Sequence, residues 1–490
     1  MMKKTIIVAI VLCFAFNLGA KVRLPSLLGD NMVLQRNDRA CLWGWAEPGS
    51  TVKVSTSWNN ANYKTEADKD GRWSVRVNTG EAGGPYSITV SDGETLTLSN
   101  VLLGEVWICS GQSNMEMPVQ GYFGQPAYGA VEALSETSSY SGIRMFTVQR
   151  DSSRIVRDDC TGEWLCSNPK NVGAFSAVGY YFGKTLSKYI GVPIGLISTV
   201  WGGSNIEAWM SSESLASIQY DREFEDEYYF PDSILYNGMV APLTNFTARG
   251  FIWYQGEANH LNYYDYKTMF VEMVRQWRDA WGNNQMPFYY VEIAPYRYDG
   301  AELRAIPLLW EQQEAALKEI PHSGMAGTLD LGLFSIIHEP DKPRVGQRLA
   351  YLALNRDYGI EGVPADAPTY KSMRIEGTKA VLSFNNLAKP DDQSDPRSFS
   401  WLDADGKVIS VKGFEIAGED RVFYPATARL RWNDNEIEVY AEQVPVPAAV
   451  RYGFRNYVEA NVKTTLDQPL LPFRTDDWEI PANEIFNDNE

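Results

Sequence analysis

Histidine is scarce in this chain: three in 490 residues, at positions 260, 322 and 338. That excludes a His-rich metal site, and a mechanism that needs an imidazole base has three places to find one. Cysteine is scarce as well, five in all, and no cysteine–histidine spacing reads as a zinc site. Positive charge is in deficit: 44 Lys and Arg stand against 62 Asp and Glu, a net charge of −18. The acidic residues are spread along the chain, which argues against nucleic acid or anionic lipid as a partner. Low-complexity tracts and strict internal repeats are absent. Thr5 to Phe16 is apolar but too short to span a bilayer comfortably, and no other segment reaches membrane length.

Met1 to Ala20 reads as a secretory signal, with Lys3 and Lys4 ahead of the apolar run and small residues at its end. Cleavage after Ala20 would leave an exported protein, periplasmic or extracellular, with no membrane span. Four cysteines remain. Cys160 and Cys166 flank a short polar loop and can pair in an oxidising compartment, while Cys41 and Cys109 lie in apolar contexts that suit buried thiols. Aromatics are plentiful, with 15 Trp and 27 Tyr. They serve a core, and they also suit the faces of sugar rings.

The length calls for two or three domains. Residues 21–100 alternate apolar and polar in short runs broken by turns such as Asp70-Gly71 and Asp92-Gly93, the texture of a small β-sandwich. Residues 101–360 alternate strands with helical patterns. Helical spacing covers Ser176–Tyr189, Tyr263–Trp281, Leu303–Ile320 and Pro343–Tyr358, and strands are expected at Val192–Val200, Phe246–Tyr254, Pro287–Ala294 and Gly324–Leu331. This implies an α/β domain with a mostly parallel sheet and helices on both faces. Residues 361–490 return to β texture and read as a second β-sandwich.

Ligands of such α/β sheets bind beyond the carboxyl ends of the strands. Four loops there are unusually polar. The apolar run Val106–Cys109 leads into Ser110-Gly-Gln-Ser-Asn114, and Ser113 is the candidate nucleophile, on a loop held by a rigid strand. It is not a Gly-x-Ser-x-Gly elbow, because Met115 stands two positions on. The other loops are Trp201-Gly-Gly-Ser-Asn-Ile-Glu-Ala-Trp209, Gln255-Gly-Glu-Ala-Asn259 and the stretch from Ser335 to Lys342. Each alone is readable as a turn. Together they hold the parts for acyl transfer. His338 is the best-placed base, His260 the reserve, and His322 falls on the opposite edge. Oxyanion donors are available from the N–H of Ser113, an N–H of Gly202 or Gly203, and the side-chain amide of Gln255 or Asn259. Glu116 and Glu257 also permit a glycosidase reading, with paired carboxylates as acid and base. A non-catalytic carbohydrate-binding protein is the third class.

The combined motifs decide among these. Gly-Gln-Ser-Asn-Met-Glu-Met-Pro at 111–118, Trp-Gly-Gly-Ser-Asn-Ile-Glu-Ala-Trp-Met at 201–210 and Leu-Tyr-Asn-Gly-Met at 235–239 resemble the sialate O-acetylesterase family. Ile-Trp-Tyr-Gln-Gly-Glu-Ala-Asn at 252–259, the His338 segment and Asp-Asn-Met-Val-Leu-Gln-Arg at 30–36 do so as well. The resemblance implies an SGNH-type serine esterase with a flavodoxin-like three-layer α/β/α core and flanking β-sandwich domains. It implies Ser113 as nucleophile, His338 as general base and acid, and Ser113, Gly203 and Gln255 around the oxyanion. Gln112, Asn114, Glu257 and Asn259 are expected at the substrate. Many SGNH hydrolases carry an Asp two or three residues before the His, where this chain has Ile336 and Ser335. Asp330 is the expected third member, with Glu339, Asp341 or a backbone carbonyl as other acceptors for the imidazole. The implied substrate is an acetylated carbohydrate, 9-O-acetylated sialic acid first and acetylated xylan as its rival, with no metal or organic cofactor. A sialate carboxylate calls for a basic residue at the rim, for which Arg249 and Arg344 are candidates. Specificity is expected in the loops 116–142 and 211–233.

Overall fold

The computed structural model describes residues 21–220, 230–387, 398–400, 402, 406–431 and 434–486. The signal-like segment Met1–Ala20 lies outside these, as do residues 221–229 of the second specificity loop.

The N-terminal module holds β1 (Val33–Gln35), β2 (Arg39–Trp45), β3 (Thr51–Thr56), β4 (Ala61–Glu66), β5 (Arg72–Asn78) and β6 (Gly83–Ser91). Strands β2 and β5 form an antiparallel ribbon, while β4, β3 and β6 pair antiparallel in a second layer. The seventeen-residue β7 (Thr95–Gly111) then crosses from this module into the next. Its first part pairs with β6 and β1, and its last seven residues lie between two strands of the catalytic sheet. The burial pattern changes with the partners, from mixed before Val101 to fully buried from Val101 to Gly111. A strand covered on both faces is a continuous apolar run, and that is how this half of β7 reads.

The remaining strands of the catalytic sheet are β8 (Ile143–Thr147), β9 (Trp164–Cys166), β10 (Ile194–Val200), β11 (Gly250–Tyr254), β12 (Phe288–Val291) and β13 (Ser323–Ala326). Their order is β13-β12-β11-β7-β10-β8-β9, parallel except for β9. In chain order the helices of this module are α1 (Ser113–Glu116), α2 (Ala130–Ser135), α3 (Pro169–Ala174), α4 (Ala177–Ile190), α5 (Ser212–Ser217), α6 (Tyr263–Trp281), α7 (Ala305–Glu319) and α8 (Lys342–Arg356). Helices α4 and α8 pack together on one face, and α6 and α7 on the other. Trp107 meets Phe182 of α4, whereas Phe251, beside Ile108 on the opposite face, meets Trp277 of α6. This is a three-layer α/β/α core. No described helix is long and apolar enough to cross a membrane.

The expected strand at Gly324–Leu331 ends at Ala326, so a loop of fifteen residues, from Gly327 to Asp341, precedes α8. Strands β8 and β9 were not anticipated. The C-terminal module contains β14 (Thr369–Glu376), β15 (Lys379–Asn385), β16 (Phe414–Ala417), β17 (Phe423–Pro425), β18 (Thr427–Arg431), β19 (Glu436–Tyr440), β20 (Ala449–Tyr452) and β21 (Phe473–Arg474). They form two sheets, β14-β15-β19-β18 and β17-β16-β20-β21, with phenyl rings such as Phe384 and Phe473 meeting between them. All four described cysteines are free thiols, so Cys160 and Cys166 are unpaired here; Cys160 is buried, and burial pushes its thiol up to about 12.

Candidate active site

Strand β7 ends at a point where only glycine fits. Gly111 has φ +139°, and a Cβ there would lie 2.1 Å from the carbonyl oxygen of Tyr254. The contact pins the end of β7 to the end of β11, and Gln112 continues it by donating its N–H to the same oxygen at 3.0 Å. Ser113 follows at the start of α1, half-buried, while Ser110 is wholly buried within the strand. The glycine pair after β10 lies beside Ser113, since a Cβ on Gly202 would sit 3.2 Å from that of Ser113. Glu116 holds this pair by accepting the Gly202 N–H at 2.9 Å. Gly203 is exposed with φ +75°. Its N–H and that of Ser113 bond to nothing among the described residues. The Gln112 carbonyl accepts from the N–H groups of Gly256 and Ala258 at 3.3 and 3.2 Å, which turns its NH₂ away from them; that NH₂ has no partner among the described residues.

The loop before α8 brings His338 to the same place. Its Nδ1 lies 2.7 Å from the Gln125 carbonyl oxygen, so Nδ1–H donates there and Nε2 keeps its lone pair. Tyr122 touches both segments: its ring stands edge-on to His338, centroids 5.1 Å apart, and its hydroxyl donates to the Ser113 backbone carbonyl at 3.1 Å. Asn114 makes a second link, donating to the carbonyl of Ile337 at 3.2 Å. Burial, and then the nearby Lys342 cation, push the His338 pKa down to about 4.

The expected orienting acid is corrected. Asp330 accepts from Arg344 and Arg348 of α8 and pairs with Lys463 of the C-terminal module, all within 3.1 Å. Burial raises its pKa, but Arg348 and Lys463 outweigh burial and hold it at about 2. It joins modules, and the neutral amide of Gln125 takes the position beside the imidazole. Glu339 and Asp341 also bond elsewhere, to Lys342 and Tyr254 and to Arg344 respectively. Gln125 comes from the 116–142 loop, and no local pattern marks it. His260 lies on the catalytic edge but has both nitrogens engaged, with the Glu257 carbonyl and Asp299. His322 is on the opposite edge, between the Gln285 carbonyl and Asp357.

Three expected ligand contacts hold loops instead. Gln255 is fully buried, and its NH₂ donates to the Ser204 carbonyl at 3.1 Å and to Asn259 Oδ1 at 2.7 Å, while its Oε1 accepts from Tyr266. Both N–H donors are therefore occupied, and the oxyanion role expected of Gln255 has no free donor. Asn259, also fully buried, donates to Glu207 and Asn262 and accepts from the Ile206 N–H. Glu257 accepts from Asn114 at 2.5 Å, and burial pushes its pKa up to about 7. Glu116 is occupied by Gly202 and by Arg150, whose Nη2 lies 2.5 Å from it. These two carboxylates brace the loops, Glu257 through Asn114 and Glu116 through Gly202. The two arginines expected at the rim are elsewhere: Arg249 at Asp357 and Tyr358, Arg344 at Asp330 and Asp341. Arg150 stands on the catalytic edge instead. It is exposed, its guanidinium is 5.2 Å from the Trp201 ring centroid, and Phe230 meets the same indole edge-on with centroids 5.3 Å apart.

The chain is similar to known proteins over most of its length. Residues 103–355 match the family model described as carbohydrate esterase, sialic acid-specific acetylesterase. Human sialate O-acetylesterase is 29% identical over 458 residues, covering 81% of this chain and 85% of the human protein. The mouse enzyme is 28% identical over 432 residues, covering 75% and 79%. The crystal structure of a carbohydrate acetylesterase from Xanthomonas citri superposes with a TM-score of 0.82 at 37% identity, covering 93% of this chain and all of that one. The chain belongs to the sialic acid-specific acetylesterase family of carbohydrate esterases, and it is a carboxylic ester hydrolase.

Proposed function

We propose that the protein is an exported esterase that removes O-acetyl groups from carbohydrates, with Ser113 as nucleophile and His338 as base and acid. The observation that carries this is the junction at the end of β7, where Tyr122 and Asn114 join the Ser113 helix to the His338 loop. His338 Nε2 takes the Ser113 hydroxyl proton as Oγ attacks the acetyl carbonyl. The same proton then goes to the departing sugar oxygen, leaving an acetylated serine; a water deprotonated by His338 attacks that ester, and the proton passes to Ser113 Oγ as acetate is released. The N–H groups of Ser113 and Gly203 and the NH₂ of Gln112 stabilise the oxyanion. A neutral amide in place of an acid leaves imidazolium less stabilised, and the enzyme works as a Ser-His dyad oriented by Gln125.

The two glutamines separate by measurement. Gln112→Ala is expected to lower kcat by about 10²–10³-fold with little change in KM, the signature of a lost oxyanion donor. Gln255→Ala is expected to lower the unfolding temperature instead, because each buried group it orphans costs about 1–3 kcal/mol. The reverse pattern would restore Gln255 to the oxyanion hole.

The preferred alcohol is an acidic sugar, O-acetylated sialic acid, ahead of acetylated xylan. The chain carries net charge −18, and Glu116, Glu257 and Glu339 lie around the catalytic loops, so a carboxylated substrate needs a cation to receive it. Arg150 supplies one beside the indole face of Trp201. Arg150→Gln is expected to lower kcat/KM for acetylated sialic acid by about 10–100-fold, the worth of a charge-assisted hydrogen bond, and for acetylated xylo-oligosaccharides by less than about threefold. Equal losses on both would make Arg150 a brace for Glu116 and the Gly202 loop. A wild-type kcat/KM about 10-fold higher for the xylose substrate would overturn the sialate preference outright.

A further inference from the structure

Beneath the catalytic loops lies a closed polar network that the steps above do not use. At its centre is Lys342, the first residue of α8, whose side chain is wholly excluded from solvent. Its ammonium donates to Asn114 Oδ1 at 2.5 Å and to Glu339 Oε1 at 2.7 Å, and lies 5.3 Å from the ring centroid of Tyr254. Tyr254 in turn donates its hydroxyl to Glu339 Oε2 at 3.0 Å. Asn114 gives its two N–H groups to Glu257 and to the Ile337 carbonyl. Three of the four hydrogen-bonding positions of this amide are therefore filled: the oxygen faces a cation, and the NH₂ a carboxylate and a carbonyl.

Asn114 directly follows the nucleophile, and Ile337 directly precedes the base. We propose that Lys342 is a positioning residue for catalysis: its ammonium locks the Asn114 side chain, and that amide ties the nucleophile's helix to the loop carrying His338. The inference rests on the Ser113–His338 reading. Three ionisable side chains under a fold this apolar are poorly explained by stability, because a buried ion pair is often matched or bettered by apolar residues of similar volume. A cation at the first turn of a helix also opposes the helix dipole. Both costs are intelligible if the network holds two reacting groups in register, where a small misplacement lowers the rate steeply.

The network also acts on His338 through space. Tyr122 packs on the imidazole, with Glu116 and Arg150 beside that phenol, and Lys342, which acts on the imidazole, is itself faced by Glu339, Glu257 and Asp341. Of these, Lys342 is the one that opposes protonation of His338, adding to the effect of burial. Removing its charge raises the pKa of the base, so the acid limb of kcat/KM moves to higher pH.

The test uses the full chain with K342M/E339Q, a paired change that removes the two directly bonded charges together and keeps a partner for Tyr254. A companion variant, Asn114→Leu, keeps both charges and cuts the tie. Rates of acetate release are followed against pH, with Ser113→Ala as control. The pair is expected to lose about 100-fold or more in kcat with KM within about threefold, and to shift the acid limb upward. Asn114→Leu is expected to lose kcat to a similar degree with the acid limb in place. A pair with near-normal kcat and an unmoved limb overturns the proposal. If the pair does not fold, normal kcat in Asn114→Leu overturns it, and loss of kcat there at full folding supports it. A Ser113→Ala control that still turns over sinks the nucleophile assignment and this inference with it; a dead control beside an unimpaired pair sinks only the role of Lys342.

Discussion

Ser113→Ala should release no measurable acetate from an O-acetylated sugar, a fall in kcat of about 10⁶-fold by analogy with other serine hydrolases stripped of their nucleophile. The effect is large because the hydroxyl forms the bond that splits one hard step into two easier ones. Its fold should survive, since Ser113 is half-buried and its side chain makes no hydrogen bond among the described residues. A melting temperature matching wild type would separate lost chemistry from lost structure. Ser110 is the natural rival, being three residues away on the same segment. It is fully buried and its hydroxyl has no partner, so Ser110→Ala should be well tolerated. Full activity in Ser113→Ala beside a dead Ser110→Ala would reverse the assignment.

His338→Ala is the second large effect, with an expected loss of about 10⁴–10⁶-fold in kcat. The pH dependence follows from the surroundings of the ring. A base works when unprotonated, and burial together with Lys342 places the His338 pKa at about 4. The lowered value keeps the imidazole neutral at all pH above it. The acid limb of kcat/KM should therefore fall near pH 4, well below the usual histidine range. A limb near pH 6.5 would mean that the ring is solvated in the working enzyme. If His260→Ala were the more damaging lesion, the choice of histidine would be wrong, though His260 has both nitrogens bound to other groups.

What the sequence made legible was local. Helix α6 begins at Tyr263 and ends at Trp281, as its spacing required, because Met269, Phe270, Met273, Val274 and Trp277 recur on one face and Gly282 closes the end in a left-handed conformation. The end of β7 was equally plain, since an apolar run met a cluster of turn residues. Strands β8 and β9 were missed: the first is short, and the second has three residues with mixed burial. The site was legible as a set of loops but not as a set of contacts. Gln125 meets His338 across 213 positions of sequence, and Lys342 meets Asn114 across 228. No periodicity or turn rule encodes such pairs. Asp330 misled for the same reason: an acid near a strand end looks like an orienter until Lys463, from another module, is seen to hold it. One signal was present and unread, a lysine opening a helix just behind an N-capping Asp341.

Strand β7 has a further consequence, for how the enzyme meets a polymer. The boundary expected at residues 100 and 101 lies inside one hydrogen-bonded strand, within the stretch paired with β6 and ahead of the stretch paired with β10. Nothing there behaves as a tether. The continuous strand couples the N-terminal β module to the end of β7 through its backbone, so a glycan surface resting on that module would be held at a set offset and angle from Ser113. Reach along a chain must then come from movement of the whole molecule or of the substrate. A fragment beginning at residue 101 would strip β7 of its β6 partner and lay bare a strand edge, so the catalytic sheet is not a separable tool.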